Sequence, residues 1–156
     1  MTAYSYQPMF VKPIAIGLGI LEGVAEWLRD MRPEFRLEGS DEPKRQTIRA
    51  PRGGYGHAKP GDVLQLYCQQ RLPKGFKIGN ARCVDVKPIA MRVVPMKRYP
   101  SIAIDGVFAA EGEEQIERFA RADGFSSWSA MQAFWARHHP GVTDFEGWII
   151  YWEPIT

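Results

Sequence analysis

The sequence predicts an α+β fold built on a small barrel or curled sheet, and three observations predict it. Residues 62–70, 77–86 and 148–152 carry strand patterns. Glu113–Ala122 and Trp128–His138 carry helical ones. The two kinds do not alternate regularly, which argues against repeated βαβ units. Length and composition agree with this. A chain of 156 residues, 45% apolar and 24% charged, suits one soluble globular domain spanning 1–156 with a sizeable core. Neither an internal repeat nor a low-complexity tract is visible.

Residues 1–12 lead in, and Met9-Phe10-Val11 reads as a short strand. Over 14–31, Leu18, Leu21, Val24, Ala25 and Leu28 recur near helical spacing, and Pro33 ends the pattern. The apolar run 14–24 contains Glu22, Gly17, Gly19 and Gly23, and no small-residue cleavage site follows. A bilayer needs ~20 apolar residues, so the run reads as a buried part of the fold rather than a signal or a span. Residues 33–43 read as a surface loop. Lys44-Arg45-Gln46-Thr47-Ile48-Arg49 reads as a basic loop, continued by four glycines and two prolines within 50–61. Pro60-Gly61-Asp62 supplies a turn. Next, Leu64, Leu66 and Cys68 alternate with Val63, Gln65 and Tyr67, so each set takes one face of a strand. Lys74-Gly75 turns the chain, residues 77–86 return as a hairpin partner, and 89–94 continue that strand beyond Pro88. Ile102-Ala103-Ile104 is a short strand closed by Asp105-Gly106.

In Glu113–Ala122 the core face is Ile116, Phe119 and Ala120, and Gly124 suits the helix end. Ser126 or Ser127 caps the next helix, which carries Trp128, Met131, Phe134 and Trp135 before Pro140-Gly141 stops it. The helical and strand spacing of Trp128, Trp135, Trp148 and Trp152 marks them as packing residues rather than a binding surface.

Charge is unevenly spread. The chain carries a net +2, yet between Lys44 and Arg98 thirteen Lys or Arg face only Asp62 and Asp85. That segment is a candidate surface for a polyanion. Cys68 and Cys83 sit in strand patterns without metal-ligand spacing. They read as reduced thiols of a cytoplasmic protein, with no metal, no cofactor and no membrane association expected.

Taken in order, Lys44-Arg45-Gln46-Thr47-Ile48-Arg49, the run from Gly61 to Tyr67 with Arg71, and Ile78-Gly79-x-Ala81-x-Cys83 resemble the ASCH (activating signal cointegrator homology) family. The likeness continues in Ile104-Asp105-Gly106, Ala122-Asp123-Gly124-Phe125 and Phe145-x-Gly147-x-Ile149-x-x-Trp152, and so covers about 44–153. It is similar to the bacterial and phage-type members. Upstream, Phe10-Val11-Lys12-Pro13 and Leu21-Glu22-Gly23 match the family's lead-in. Then either 24–43 is an insertion or Leu37-Glu38-Gly39 takes the place of the family's glycine.

The resemblance implies a PUA-like β-barrel with flanking helices and a role with RNA or a modified nucleoside. One subgroup hydrolyses N4-acetylated cytidine with a Lys, a Thr three residues on and a downstream carboxylate. The matches here are Lys44, Thr47 and Asp123, where that subgroup has Glu. Other members are regarded as RNA-binding domains or ribonucleases that use the same basic cleft.

Three expectations follow for the site. A desolvated Lys44 could lose its proton and activate Thr47 or a water, with Asp123 handling the leaving-group proton. In an extended chain, residues three apart point to opposite faces, so Lys44 and Thr47 meet only if the chain turns between them. The alternative is that all three order the loop and hold phosphate. Arg45, Arg49, Arg52, Lys59 and Arg71 are candidates to track a nucleic-acid backbone, or else a solvated surface. Tyr55 and His57 are candidates to stack on a base. His138 and His139, at a helix end, suit the helix dipole.

Overall fold

The strand patterns correspond to one continuous sheet. The computed structural model describes residues 2–53, 56–93, 101–110 and 112–155. The elements are β1 (Thr2–Tyr6), a 3-10 turn (Pro8–Phe10), α1 (Val11–Leu18), α2 (Leu21–Met31), β2 (Gln46–Arg49), β3 (Val63–Cys68), β4 (Phe76–Arg92), β5 (Ser101–Ile104), β6 (Val107–Ala110), α3 (Glu113–Ala122), α4 (Trp128–His138) and β7 (Asp144–Pro154). Among the described residues seven strands form a mixed sheet. β4 is its spine. It pairs antiparallel with β3 at one end, with β5 at the other, and with β7 along most of its length. β1 joins β3 in parallel, and β2 joins β7 antiparallel.

The three segments expected to share a sheet therefore do so, and α+β is the fold class. Of the barrel or curled sheet expected, a closed barrel is not formed. The strand path runs β1-β3-β4-β7-β2, and among the described residues no ladder joins β1 to β2. The two ends nevertheless curl together. Arg49 of β2 donates from Nη2 to the Ser5 carbonyl of β1 at 2.8 Å. Its guanidinium carbon lies 5.5 Å from the Tyr4 ring centre and 5.0 Å from that of Tyr6. Side chains rather than backbone pairs span this seam.

Two local expectations are also corrected. Met9-Phe10-Val11 is not a strand: it completes the 3-10 turn and opens α1. A short apolar run does not distinguish strand from helix. Here Pro8 starts a helical turn, and Val11, Ile14, Ala15 and Leu18 are buried at helical spacing. The strand lies earlier, at β1. The basic Lys-Arg-Gln-Thr-Ile-Arg run is not all loop, since its last four residues are β2. As expected, the strand does continue beyond Pro88: β4 runs on to Arg92, and its ladder with β7 passes through the proline.

The core follows the alternation closely. Leu64, Leu66 and Cys68 are buried, as are Ile89, Met91, Phe145 and Ile149 across β4 and β7. α1 packs on β4 and β7, and α3 packs on α4. Trp128, Trp135 and Trp152 pack into the core, while Trp148 stays 37% exposed. Ser127 caps α4, its Oγ accepting from the Ala130 amide at 3.0 Å. Both cysteines are free and buried, and burial pushes the Cys68 thiol up to about 11. Among the described residues no helix is long and apolar enough to cross a membrane.

One close approach sets up the site. α1 presses its backbone onto Lys44: the Lys44 amide donates to the Pro13 carbonyl at 2.9 Å. A Cβ on Gly17 would lie 2.1 Å from the Lys44 carbonyl oxygen. Alanine normally favours a helix interior by about 1 kcal/mol over glycine. At this position it must push backbone from backbone, and overpacking of that kind costs ~1–3 kcal/mol. Gly17→Ala is therefore expected to lower the urea midpoint despite the gain in helix propensity. An unchanged or higher midpoint would show that α1 does not hold Lys44.

Candidate functional site

Lys44 enters the protein interior between two glycines. Gly17 allows α1 to touch its backbone, and Gly124 lies against its side chain. α3 ends at Asp123, with Gly124 next at φ +98°. The Phe125 amide bonds back to the Ala120 carbonyl and the Gly124 amide to that of Arg121. This is a Schellman ending, which wants glycine at that position. A Cβ on Gly124 would also lie 2.9 Å from Lys44 Cδ. The sequence reason for the glycine is thus double: it ends the helix and makes room for the lysine.

The side chain of Lys44 then meets the end of α3. Nζ donates to the Asp123 backbone carbonyl and lies 3.3 Å from Asp123 Oδ1. Gln46 Nε2 donates to the same Oδ1 at 3.3 Å. Exposure decides how to read this pair, because Lys44 is 2% and Asp123 5% exposed. Burial drives the Lys44 ammonium below its ordinary 10.5, and the Asp123 carboxylate opposes that fall. Burial likewise raises Asp123 above its ordinary 3.8, against the pull of Lys44 and Gln46. Both directions work against the charged forms of the pair. The rings of Phe10, at 5.0 Å, and Tyr6, at 5.9 Å, face the nitrogen as a cation–π shell.

Lys44 and Asp123 line a cavity of about 610 Å³ at the unpaired seam between β1 and β2. Thr47, 3% exposed, lines it too. The strand period is satisfied because Lys44 lies outside the regular part of β2 and reaches the cavity through a long side chain. The apolar wall is aromatic. Phe10, Phe125 and Phe134 meet edge to face with centroids 5.2–5.4 Å apart, and Tyr6 and Trp135 extend the wall. The volume and the mixed lining suit a small aromatic ligand.

Two donors beside this cavity are unsatisfied. The Tyr6 hydroxyl and Arg49 Nε are buried without a hydrogen-bond partner among the described residues. Thr47 and Arg49 lie close enough to Tyr6 to favour its anion, but burial prevails and its pKa is raised. Buried donors without partners are uncommon and are expected where a ligand group completes them.

The expected site residues divide. Lys44, Thr47, Asp123, Arg49, Arg52 and Arg71 line one cavity. Arg45, His57 and Lys59 do not. Arg45 is exposed and donates from Nε to the Gly17 carbonyl at 3.0 Å. His57 stacks on Tyr4 and bonds the Ala50 carbonyl through Nε2 at 2.8 Å. Lys59 is exposed, and its amide bonds Asp62. Tyr55 lies outside the described residues. Sequence reasoning missed Tyr6, Phe10, Phe125, Phe134, Trp135, His138 and His139 as lining residues. One signal was present. Phe134 packs tilted against His138 at 4.2 Å and Trp135 stacks on His139, the residue after α4, at 4.3 Å, each pair four residues apart.

Among the described residues lining the cavity Asp123 is the one acid. No group of three or more His, Cys, Asp or Glu among the described residues is placed to hold a metal. Comparison with family models, with curated proteins and with solved structures finds no match.

Proposed function

We propose that this chain is an ASCH-type, PUA-like domain that binds a modified nucleobase and hydrolyses an N4-acyl group from a cytosine base. The observation that carries this reading is the convergence of Lys44, Thr47 and Asp123 on one aromatic-walled cavity. They arrive from segments 79 residues apart. A loop that merely held phosphate would need none of them buried.

The chemistry follows from the paired proton. With the pair as amine and acid, Lys44 takes the Thr47 hydroxyl proton as Oγ1 attacks the acyl carbon. Asp123 protonates the departing N4, leaving an acyl ester on Thr47 and the pair as ammonium and carboxylate. Water then attacks the ester. Asp123 takes the water proton, Lys44 returns one to Oγ1, and the carboxylic acid leaves with the pair restored. The Tyr6 hydroxyl and the Arg49 guanidinium are the donors available to the oxyanion. The aromatic wall seats the base and keeps bulk water from the ester.

The test is to incubate the purified protein with N4-acetylcytidine and follow cytidine by chromatography. Release well above that of a Lys44→Ala control supports the reading, and no release from neutral to alkaline pH rejects it. The pH profile gives a second check. The pair must carry one transferable proton, so kcat/KM is expected to be bell-shaped. Because Asp123 is raised and Lys44 lowered, the acidic limb should lie above 3.8 and the alkaline limb below 10.5. A rate still climbing past pH 10.5 would exclude Lys44 as the base.

A further inference from the structure

We infer that the cavity's ligand carries a phosphate, so that it is a nucleotide or the 5′ end of an RNA rather than a neutral nucleoside. This deepens the reading above, on which the base assignment rests. The phosphate assignment rests on a separate observation, the charge of the lining. Lys44 and Asp123 answer one another. Arg49, Arg52 and Arg71 remain, and among the described residues none of them meets a carboxylate. Four arginines elsewhere do find one, Arg32 with Glu34, Arg92 with Asp144, Arg118 with Glu114 and Arg121 with Glu42, and the other described arginines that do not, such as Arg45 and Arg82, lie outside the cavity. The cavity thus concentrates positive charge that nothing in its wall balances.

Geometry brings two of these charges together. Arg49 and Arg52 both lie against the Tyr4 ring, at 5.5 and 5.0 Å from its centre. Their field is felt by their neighbours, since each favours the Tyr4 anion and disfavours a proton on His57. Two guanidiniums over one ring repel, and an anion between them removes the repulsion. Arg71 arrives on the turn after β3. Gln69 there has φ +49°, an uncommon conformation for a residue with a side chain. The turn is tied to β1 by the Gln69 amide on the Tyr6 carbonyl and the Gln70 amide on Ser5 Oγ, both at 3.0 Å. The strained turn is therefore fixed rather than loose, and it carries Arg71 to the cavity wall. Planar, permanently charged guanidiniums suit phosphate oxygens bidentately. The Lys44 end of the cavity is aromatic and takes the base, so the phosphate lies toward Arg52 and Arg71.

Calorimetry on the full chain tests this with cytidine, cytidine 5′-monophosphate and ribose 5-phosphate. At low salt the monophosphate is expected to bind about tenfold or more tighter than cytidine, as charge-assisted bonds to phosphate require. Arg52→Gln with Arg71→Gln, both at exposed positions, should erase that difference while thermal denaturation shows an intact fold. Equal affinity of cytidine and its monophosphate in the wild-type protein overturns the inference. A 5′-phosphorylated tetranucleotide identifies the source. If it binds more tightly than the mononucleotide, with log K falling by ~0.7 per phosphate contacted as salt rises, the ligand is RNA. Equal binding assigns a mononucleotide. Failure of the two ideas can be told apart. If neither N4-acetylcytidine nor its 5′-monophosphate is hydrolysed yet the phosphate preference and ribose 5-phosphate binding persist, the hydrolase reading falls alone. If N4-acetylcytidine and its 5′-monophosphate are hydrolysed alike, without a binding preference, the phosphate site falls alone.

Discussion

Replacing Lys44 is expected to reduce N4-acetylcytidine turnover by ~10³-fold or more, within the range general acid–base groups contribute. In the proposed mechanism Lys44 is the group that takes the Thr47 proton. Asp123 is the one acid among the described lining residues, and both histidines lie on the α4 side of the cavity. Lys44 also secures the end of α3, so loss of activity must be separated from loss of fold. Two variants do this. Lys44→Met keeps an unbranched chain beside Gly124 and leaves Asp123 to take up a proton. Lys44→Arg keeps a cation for Asp123 but remains charged at any working pH. Both should fail to turn over while urea denaturation shows a folded protein. If either retains wild-type kcat, Lys44 is a structural lysine and the hydrolase reading is lost.

Asp123→Ala is expected to cause the largest loss of stability, about 3–5 kcal/mol, the usual result of removing one partner of a buried ion pair. The alanine leaves Lys44, 2% exposed, with only the backbone carbonyl at the end of α3. Its sign with pH is definite. A base whose folded pKa lies below the unfolded value binds more protons when unfolded, so stability rises with pH between the two. Lys44 is lowered from 10.5, and losing the carboxylate that opposes the fall lowers it further. The deficit of Asp123→Ala should therefore be greatest below that folded pKa and shrink as pH climbs toward 10.5. Urea midpoints measured from pH 6 to pH 10 test this. A deficit that does not change with pH would mean the loss is one of packing at the helix end and not of charge.

These two side chains also show what was legible in the chain itself. The Lys-x-x-Thr spacing and Asp123 before Gly124 were both readable, as candidates. Their meeting was not, because the hydrogen bond between them closes over 79 residues. Local pattern was reliable where one face of an element is buried. Leu64, Leu66 and Cys68 are alternately buried, Ile116 and Ala120 face inward, and Ser127 caps α4. In each case the deciding interactions lie within about one turn or one pleat, where periodicity speaks. It was ambiguous at Met9-Phe10-Val11, since three apolar residues fit a strand or a helix equally well.

By itself, then, the sequence determined the α+β class, the main strands and helices, and the basic character of the middle of the chain. Only the tertiary structure decided which of those basic residues share a cavity. Arg49, Arg52 and Arg71 do, whereas Arg45 and Lys59, of the same type and the same stretch, do not. It also decided that the sheet curls without closing, leaving its site at the seam between β1 and β2. The aromatic wall is assembled from the N-terminal turn, the end of α3 and the face of α4. The physical reason is common to all three. Register, helix docking and the room left by Gly17 and Gly124 depend on contacts between distant segments, and no window of neighbouring residues contains them.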